Sequence, residues 1–294
     1  MASNDWVEIK KNPTLYPEAL TDVEGEEFDW HSEAFKEHSS QVFCVSAFSS
    51  IRNCPAKDKV IPKLFDKGKL AGPWHDPMGW SIELERAQPE LLGELGMGKP
   101  TSIDCFFESR RCCVAVESKF RTDAEEGFGS CSQVQSGNCA GFFGPGSDKK
   151  ARHRSLAWCR LEKWDSGRQP RLYWSLGREY FRPEVMSQQV PGNECPFAGP
   201  NYQLMRNFLF SGAYATRYSK QAFGVLAICP KAKCQVLVEQ IEEFRQHILL
   251  PEFHDRIGLA TYEDYVEVLR ECGGRDAEHL ASFLEERIRT LIGI

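Results

Sequence analysis

The hydrophobic pattern divides the chain into stretches of different period. Residues 1–30 are polar and acidic, with isolated aromatics at Trp6, Tyr16 and Trp30, and read as an arm laid across a larger domain. Over 32–51, Phe35, Ser39, Val42, Phe43, Ser46, Ala47 and Ser50 recur at three- and four-residue spacing. That spacing predicts a helix, which Pro55 ends. Residues 56–79 are punctuated by Lys, Gly and Pro and read as loop with a short helix. The period then drops to two: Trp80-Ser-Ile-Glu83-Leu-Glu85 alternates apolar and acidic side chains, the pattern of a half-buried strand. A Leu-, Gly- and Pro-rich connection leads to a second strand at 102–107, the polar set 108–111 makes a tight turn, and 112–120 is a third strand. The small and β-branched residues of the third strand suit burial on both faces.

Residues 121–200 differ in kind, being rich in Gly, Pro and Ser. They read as an insertion with its own small core, holding one strand at 171–176. Regular structure resumes with a helix at 202–218, whose apolar side carries Leu204, Met205, Phe208 and Leu209, and a short buried strand at 223–229. Beyond Pro230 the periodicity predicts helices at 236–250, 262–272 and 277–292. Helix, three strands, insertion, helix, strand and further helices make an α/β chain, and a sheet flanked by helices is the economical way to bury these faces. Three regions follow: an arm over 1–30, a core over 31–229 that includes the 121–200 insertion, and a helical extension over 230–294.

With 294 residues, 41% of them hydrophobic and 12% aromatic, the chain can bury a substantial core. It lacks low-complexity tracts, and its N-terminus lacks the basic start and apolar run of a signal peptide. No apolar stretch is long enough to span a bilayer. These features predict a soluble cytoplasmic protein without a membrane partner. The net charge of −6 argues against a surface that binds polyanions everywhere, but leaves room for a local basic patch. The candidate is Lys149-Lys150-Ala-Arg152-His153-Arg154, with Arg160 close behind.

The chemistry concentrates on two predicted strands. Pro100-Thr-Ser-Ile-Asp104 places an acid on the second strand, and Val114-Ala-Val-Glu117-Ser-Lys119 places an acid and a lysine on the third. Strand side chains alternate between faces, so Ala115, Glu117 and Lys119 share one face, and Asp104 shares its own with Ser102 and Phe106. A short antiparallel connection can bring Asp104 beside Glu117. Two carboxylates a few ångström apart repel unless a cation lies between them, and Mg²⁺ takes oxygen ligands. Such an ion polarises a phosphate and promotes ionisation of water, while Lys119 can orient that water or stabilise developing charge. The alternative is a solvated face with cross-strand ion pairs.

At this point the chain resembles the PD-(D/E)XK nuclease superfamily, the restriction-endonuclease-like fold, whose core runs αβββαβ in a mixed central sheet flanked by helices. More narrowly it resembles a prokaryotic subgroup, through Ser39-Ser-Gln-Val-Phe-Cys44, Pro100-Thr-Ser-Ile-Asp104, Glu117-Ser-Lys119 and Tyr202-Gln-Leu-Met-Arg206. The resemblance implies Mg²⁺-dependent hydrolysis of phosphodiesters, with DNA the expected substrate because the superfamily mostly acts on DNA. Asp104 and Glu117 take the places of the family's two acids and Lys119 that of its lysine, and the Ser118 main-chain carbonyl becomes a further metal ligand. The proline stands at Pro100, not directly before the aspartate. Many relatives add an acid from the first helix or strand. Glu85 is the choice here over Glu83 and Glu37, with a surface or structural role as its alternative. Gln203 and Arg206 share a helical face and are expected to touch substrate or order the site, against simple capping or core hydrogen bonding.

Twelve cysteines are many for a chain without the marks of a secreted disulfide scaffold. Cys131, Cys139, Cys159 and Cys195 all fall within the 121–200 insertion, among Gly-rich turns. Four thiolates can hold Zn²⁺ or an iron–sulfur cluster and so staple a segment poor in apolar residues. Buried thiols without metal are the alternative, since the spacing is not the tight pair that marks a zinc site. Cys112 and Cys113 read as strand packing, and Cys229 and Cys234 as a close pair with nothing beside them to complete a site. Two other functional classes remain in view. One is a non-catalytic nucleic-acid- or protein-binding module on the same fold, stabilised by a four-cysteine metal site. The other is a cysteine hydrolase, for which His38 and His153 lack any local nucleophile signature.

Overall fold

The computed structural model describes residues 8–23, 30–31, 34–95, 100–120, 127–136, 139–143, 159, 161, 171–190, 192–272 and 274–293. Five strands form one mixed sheet in sequence order: β1 (Trp80–Ala87), β2 (Ser102–Ser109), β3 (Cys112–Ser118), β4 (Ala222–Cys229) and β5 (Ile257–Thr261). The first three run antiparallel to their neighbours, while β3, β4 and β5 are parallel. The long crossover from β3 to β4 carries helix α7 (Asn201–Arg217), which packs on both strands. The mixed α/β fold expected from the sequence is the fold observed.

The opposite face is covered by α2 (Ser40–Ser49), α3 (Lys57–Lys67) and α9 (Tyr262–Cys272). The arm contributes α1 (Pro17–Val23), whose Ala19 and Val23 are buried, and beyond α9 the helix α10 (Gly274–Ile292) joins the same layer. Gln41 through Ser49 are all buried, because α2 is enclosed between the sheet and this arm. Ser46 ties the arm down: its hydroxyl accepts from Tyr16 N at 2.9 Å and donates to Thr14 O at 2.8 Å. A helix buried all round reads as apolar and small residues without a polar face, as this stretch does.

Three expectations shift and a fourth is sharpened. The helix expected from residue 32 begins at Ser40, where the Ser39 hydroxyl accepts from Val42 N at 3.3 Å as an N-cap. The short helix expected within the loop of 56–79 is the eleven-residue α3, whose buried stripe of Val60, Ile61, Leu64 and Phe65 runs past the interior Pro62. The strand expected at 171–176 is instead a short helix, α5 (Tyr173–Gly177). Tyr173 and Trp174 are both buried there, against the aromatic cluster on this face of the sheet. The helix expected over 236–250 is α8 (Cys234–Glu243) followed by a π turn, and the unforeseen β5 adds a fifth strand.

The 121–200 segment does not keep a core of its own among the described residues. Phe128, Phe143, Tyr173, Trp174, Phe181 and Phe197 belong to the cluster that α7 and the sheet form on this face. The basic run 149–154 and Arg160 lie outside the described residues. No helix among the described residues is long and apolar enough to cross a membrane.

Candidate active site

β3 is buried along its whole length, so an acid near its end needs partners. Glu117, only 3% exposed, has them. Its Oε1 accepts from Gln203 Nε2 at 2.6 Å and its Oε2 from Asn207 Nδ2 at 2.7 Å. Lys119 Nζ stands 3.2 Å from Oε1 and donates to Gln203 Oε1 at 2.9 Å. The Gln203 amide oxygen also accepts from Gly129 N at 2.7 Å. One amide therefore fixes the acid with its nitrogen and the lysine with its oxygen. Gln203 and Asn207 reach the same carboxylate because they are one helical turn apart on α7.

Asp104 sits at the start of β2, where the ladder with β3 ends at Cys105 and Val116. Its Oδ2 accepts from Ser118 N at 2.8 Å, which fastens the aspartate to the segment that carries Glu117 and Lys119. Burial, then the charges of Glu117 and Glu85, push the Asp104 carboxyl well above the usual carboxylate range, and the Ser118 N–H and Lys119 offset this only in part. An acid pair in a poorly solvated site resists double ionisation unless a cation is present.

Glu85 is level with Asp104: the β1–β2 register passes from Leu84 opposite Cys105 to Arg86 opposite Ile103. Its φ of 49° is a left-handed conformation that is costly for a residue with a side chain, and within a strand it marks a locally imposed geometry. The carboxylate accepts from Gln41 Nε2 at 2.8 Å and from Ser102 Oγ at 2.7 Å. Glu83 is engaged in an ion pair with Arg86, and Glu37 is exposed on the turn before α2. Of the three candidates for a third acid, Glu85 is among the main charges that act on Asp104.

Arg206 does not face the acids directly. Its Nε donates to Thr101 Oγ1 at 2.8 Å, and Thr101 in turn donates from Oγ1 to Glu94 Oε1 at 2.8 Å and from N to Glu94 Oε2 at 2.5 Å. Tyr173 OH and Arg171 also reach this buried Glu94. The network clamps the start of β2 to α7 just ahead of Asp104. Behind the site, Ser118 Oγ lies 2.7 Å from Tyr262 OH and donates to Ser40 O at 3.1 Å, so α2 and α9 brace the same end of β3.

The structure thus brings Asp104, Glu117, Lys119 and Gln203 together, with Glu85 beside Asp104. Sequence reasoning missed Asn207, Gln41 and Glu94. A signal for the first existed: Gln203, Asn207 and Ser211 form a polar stripe at four-residue spacing along the helix. Among the described residues no three His, Cys, Asp or Glu side chains are closed into a group that could hold a metal ion as it stands. The donor set at Asp104 and Glu117 is all oxygen, which suits a hard cation such as Mg²⁺, and the raised Asp104 carboxyl is a site where positive charge is lacking.

A family model described as restriction endonuclease associating with ARP matches residues 2–287. No curated protein and no solved structure matches the chain.

Proposed function

The chain belongs to the family of restriction endonucleases associating with ARP, and from this membership and the acid pair of β2 and β3 we propose that it is a Mg²⁺-dependent nuclease of the PD-(D/E)XK type that hydrolyses phosphodiester bonds in DNA. The observation that carries the reading is the meeting of Asp104, Glu117 and Lys119 at one end of the sheet, where one residue, Gln203, holds both the acid and the lysine. Asp104 and Glu117 would hold the ion, with the Ser118 carbonyl as a third oxygen. Both Glu117 oxygens already accept a side-chain amide, and Oε1 also faces Lys119 Nζ, so Oε2 keeps the lone-pair capacity for an ion. When bound, Mg²⁺ would supply polarisation of the phosphate and a more acidic water.

The chain's own residues do the positioning. Lys119, about a quarter exposed, can reach a water or phosphate oxygen while Gln203 Oε1 limits its freedom. Its ammonium can stabilise charge that develops on the phosphoryl oxygens. Glu85, fixed by Gln41 and Ser102, keeps a further negative charge beside Asp104 and so favours a cation in the site. Arg206 and Glu94 keep the β2 start from drifting relative to α7.

Incubation of the purified chain with supercoiled plasmid tests the reading. Nicked or linear product should form with Mg²⁺ and not with a chelator. Asp104→Ala and Lys119→Ala should each lower the rate by roughly 100-fold or more, the loss expected when several kcal/mol of charge stabilisation disappear. Cleavage that persists at wild-type rate in both variants overturns the assignment.

A further inference from the structure

The nuclease reading leaves the cysteines of the 121–200 segment without a role. Cys131 and Cys195 are bound into the sheet-face cluster or packed on it, together with Cys159, and all twelve cysteines of the chain carry thiols. The segments around three of them interlock through the backbone. Cys131 N donates to Ala198 O at 3.2 Å, Cys139 N to Gln133 O at 2.8 Å and Cys195 N to Gly141 O at 2.7 Å. Phe142 and Glu194 add an antiparallel bridge between the Cys139 and Cys195 segments. Cys159 packs on the same cluster as Cys131 and Cys195, and its thiol, with those of Cys131 and Cys139, acts electrostatically on Cys195.

One of these segments also aims an amide at a sulfur: Gly141 N donates to Cys139 Sγ at 3.4 Å, two residues on. A neutral thiol is a weak acceptor, whereas a thiolate is a strong one. The backbone pairs and the shared cluster bring cysteines from four separate stretches of the chain to one place in the fold.

We propose that Cys131, Cys139, Cys159 and Cys195 form a tetrathiolate metal centre. On binding, each thiol gives its proton to solvent and forms one sulfur–metal bond, and the amide of Gly141 disperses part of the resulting charge at Cys139. The thiols are neighbours that close on the metal; among the described residues they do not stand as a finished cage. A tetrathiolate suits Zn²⁺ or an iron–sulfur cluster, and both are thiophilic. The centre fixes the Gly129–Cys131 loop, whose Gly129 N donates to Gln203 Oε1, and so lies one hydrogen bond from the residue that holds Glu117 and Lys119. The proposal does not depend on the nuclease reading.

The test is the metal content and absorption spectrum of the full chain purified without air or chelator. Either about one zinc per chain in colourless protein, or iron with acid-labile sulfide and a visible absorption band, supports the centre and identifies its metal. Cys139→Ser and Cys195→Ser should lower the bound metal more than about tenfold, while Cys272→Ser on α9 leaves it unchanged. Should those variants fail to fold, an organomercurial titration of the wild-type chain replaces them: metal release complete after four thiols have reacted supports the proposal. Wild-type protein with only trace metal, or metal release unconnected with thiol modification, overturns it.

Discussion

Asn207 Nδ2 lies 2.7 Å from Glu117 Oε2, and both groups are almost without solvent. Leucine at that position has a similar size and no donor. Asn207→Leu leaves one oxygen of a buried carboxylate unmet, a loss of roughly 1–3 kcal/mol in typical cases. If the amide serves only the fold, melting temperature falls and nothing else changes. If, as proposed, it aims Glu117 at an ion, the Mg²⁺ concentration for half-maximal plasmid cleavage should rise about tenfold as well, and excess Mg²⁺ should recover much of the rate. An unchanged Mg²⁺ requirement in a destabilised variant would assign Asn207 to packing alone. At this scale the sequence is legible where strand alternation fixes direction. Glu117 and Lys119 share a face for that reason, and Asp104 meets them across a short antiparallel connection. It is illegible where a partner comes from distant chain: Gln41, Ser102 and Glu94 hold their charges through contacts that no local period encodes.

At the scale of elements, the strands and α7 are readable because each is long and strongly periodic, whereas β5 is hidden by its own fit. Of Ile257-Gly-Leu-Ala-Thr261 only the two ends are β-branched, and Gly258 weakens the strand signal further. The structure shows why it is there: a Cβ on Gly258 would fall 2.3 Å from the Gly68 carbonyl oxygen, which itself accepts from Leu259 N at 3.2 Å. The close approach docks the end of α3 on the sheet edge, and a side chain at that point forces backbone to move. Gly258→Ala should cost about 1–3 kcal/mol, the usual penalty of overpacking. For a chain of this size that is a fall of several degrees in melting temperature, at roughly 2–4 °C per kcal/mol. Gly199→Ala, where nothing lies within 4 Å of the added carbon, is the matched control and should melt like the wild type. Equal melting of the two variants would mean that the β5 edge is not packed as described. The strand expected at 171–176 fails for the opposite reason. Its aromatic residues favour strands locally, but the sheet face needs both Tyr173 and Trp174 inside, and tertiary packing overrides the preference.

The molecule as a whole sets the electrostatics of the site. Helices on both faces of one sheet leave the Asp104 carboxyl poorly solvated, and Glu117 and Glu85 from the flanking strands add like charge. The folded chain therefore keeps a proton on Asp104 that the unfolded chain releases at the ordinary carboxylate value. Between that value and the raised folded one, the native state binds more protons than the unfolded state, so stability falls as pH rises through the window. The contribution is fully present only at or below the ordinary carboxylate range. On the proposed reading Mg²⁺ would compete with the same proton, since it binds the ionised form. Thermal melts across mildly acidic to mildly alkaline buffers, with chelator or with Mg²⁺, separate these effects. Metal-free wild type should lose stability with rising pH, and Mg²⁺ should restore it most at the alkaline end. Asp104→Asn removes the titrating group: its melts should lose that component of the pH dependence, exceed those of metal-free wild type at alkaline pH and respond little to Mg²⁺. If the variant and wild type instead share one pH profile and one Mg²⁺ response, Asp104 is neither the strained acid nor the ion's ligand. The acid limb of plasmid cleavage reads the same competition through activity, and it should move to lower pH as Mg²⁺ is raised, because the ion draws the carboxylate away from its proton.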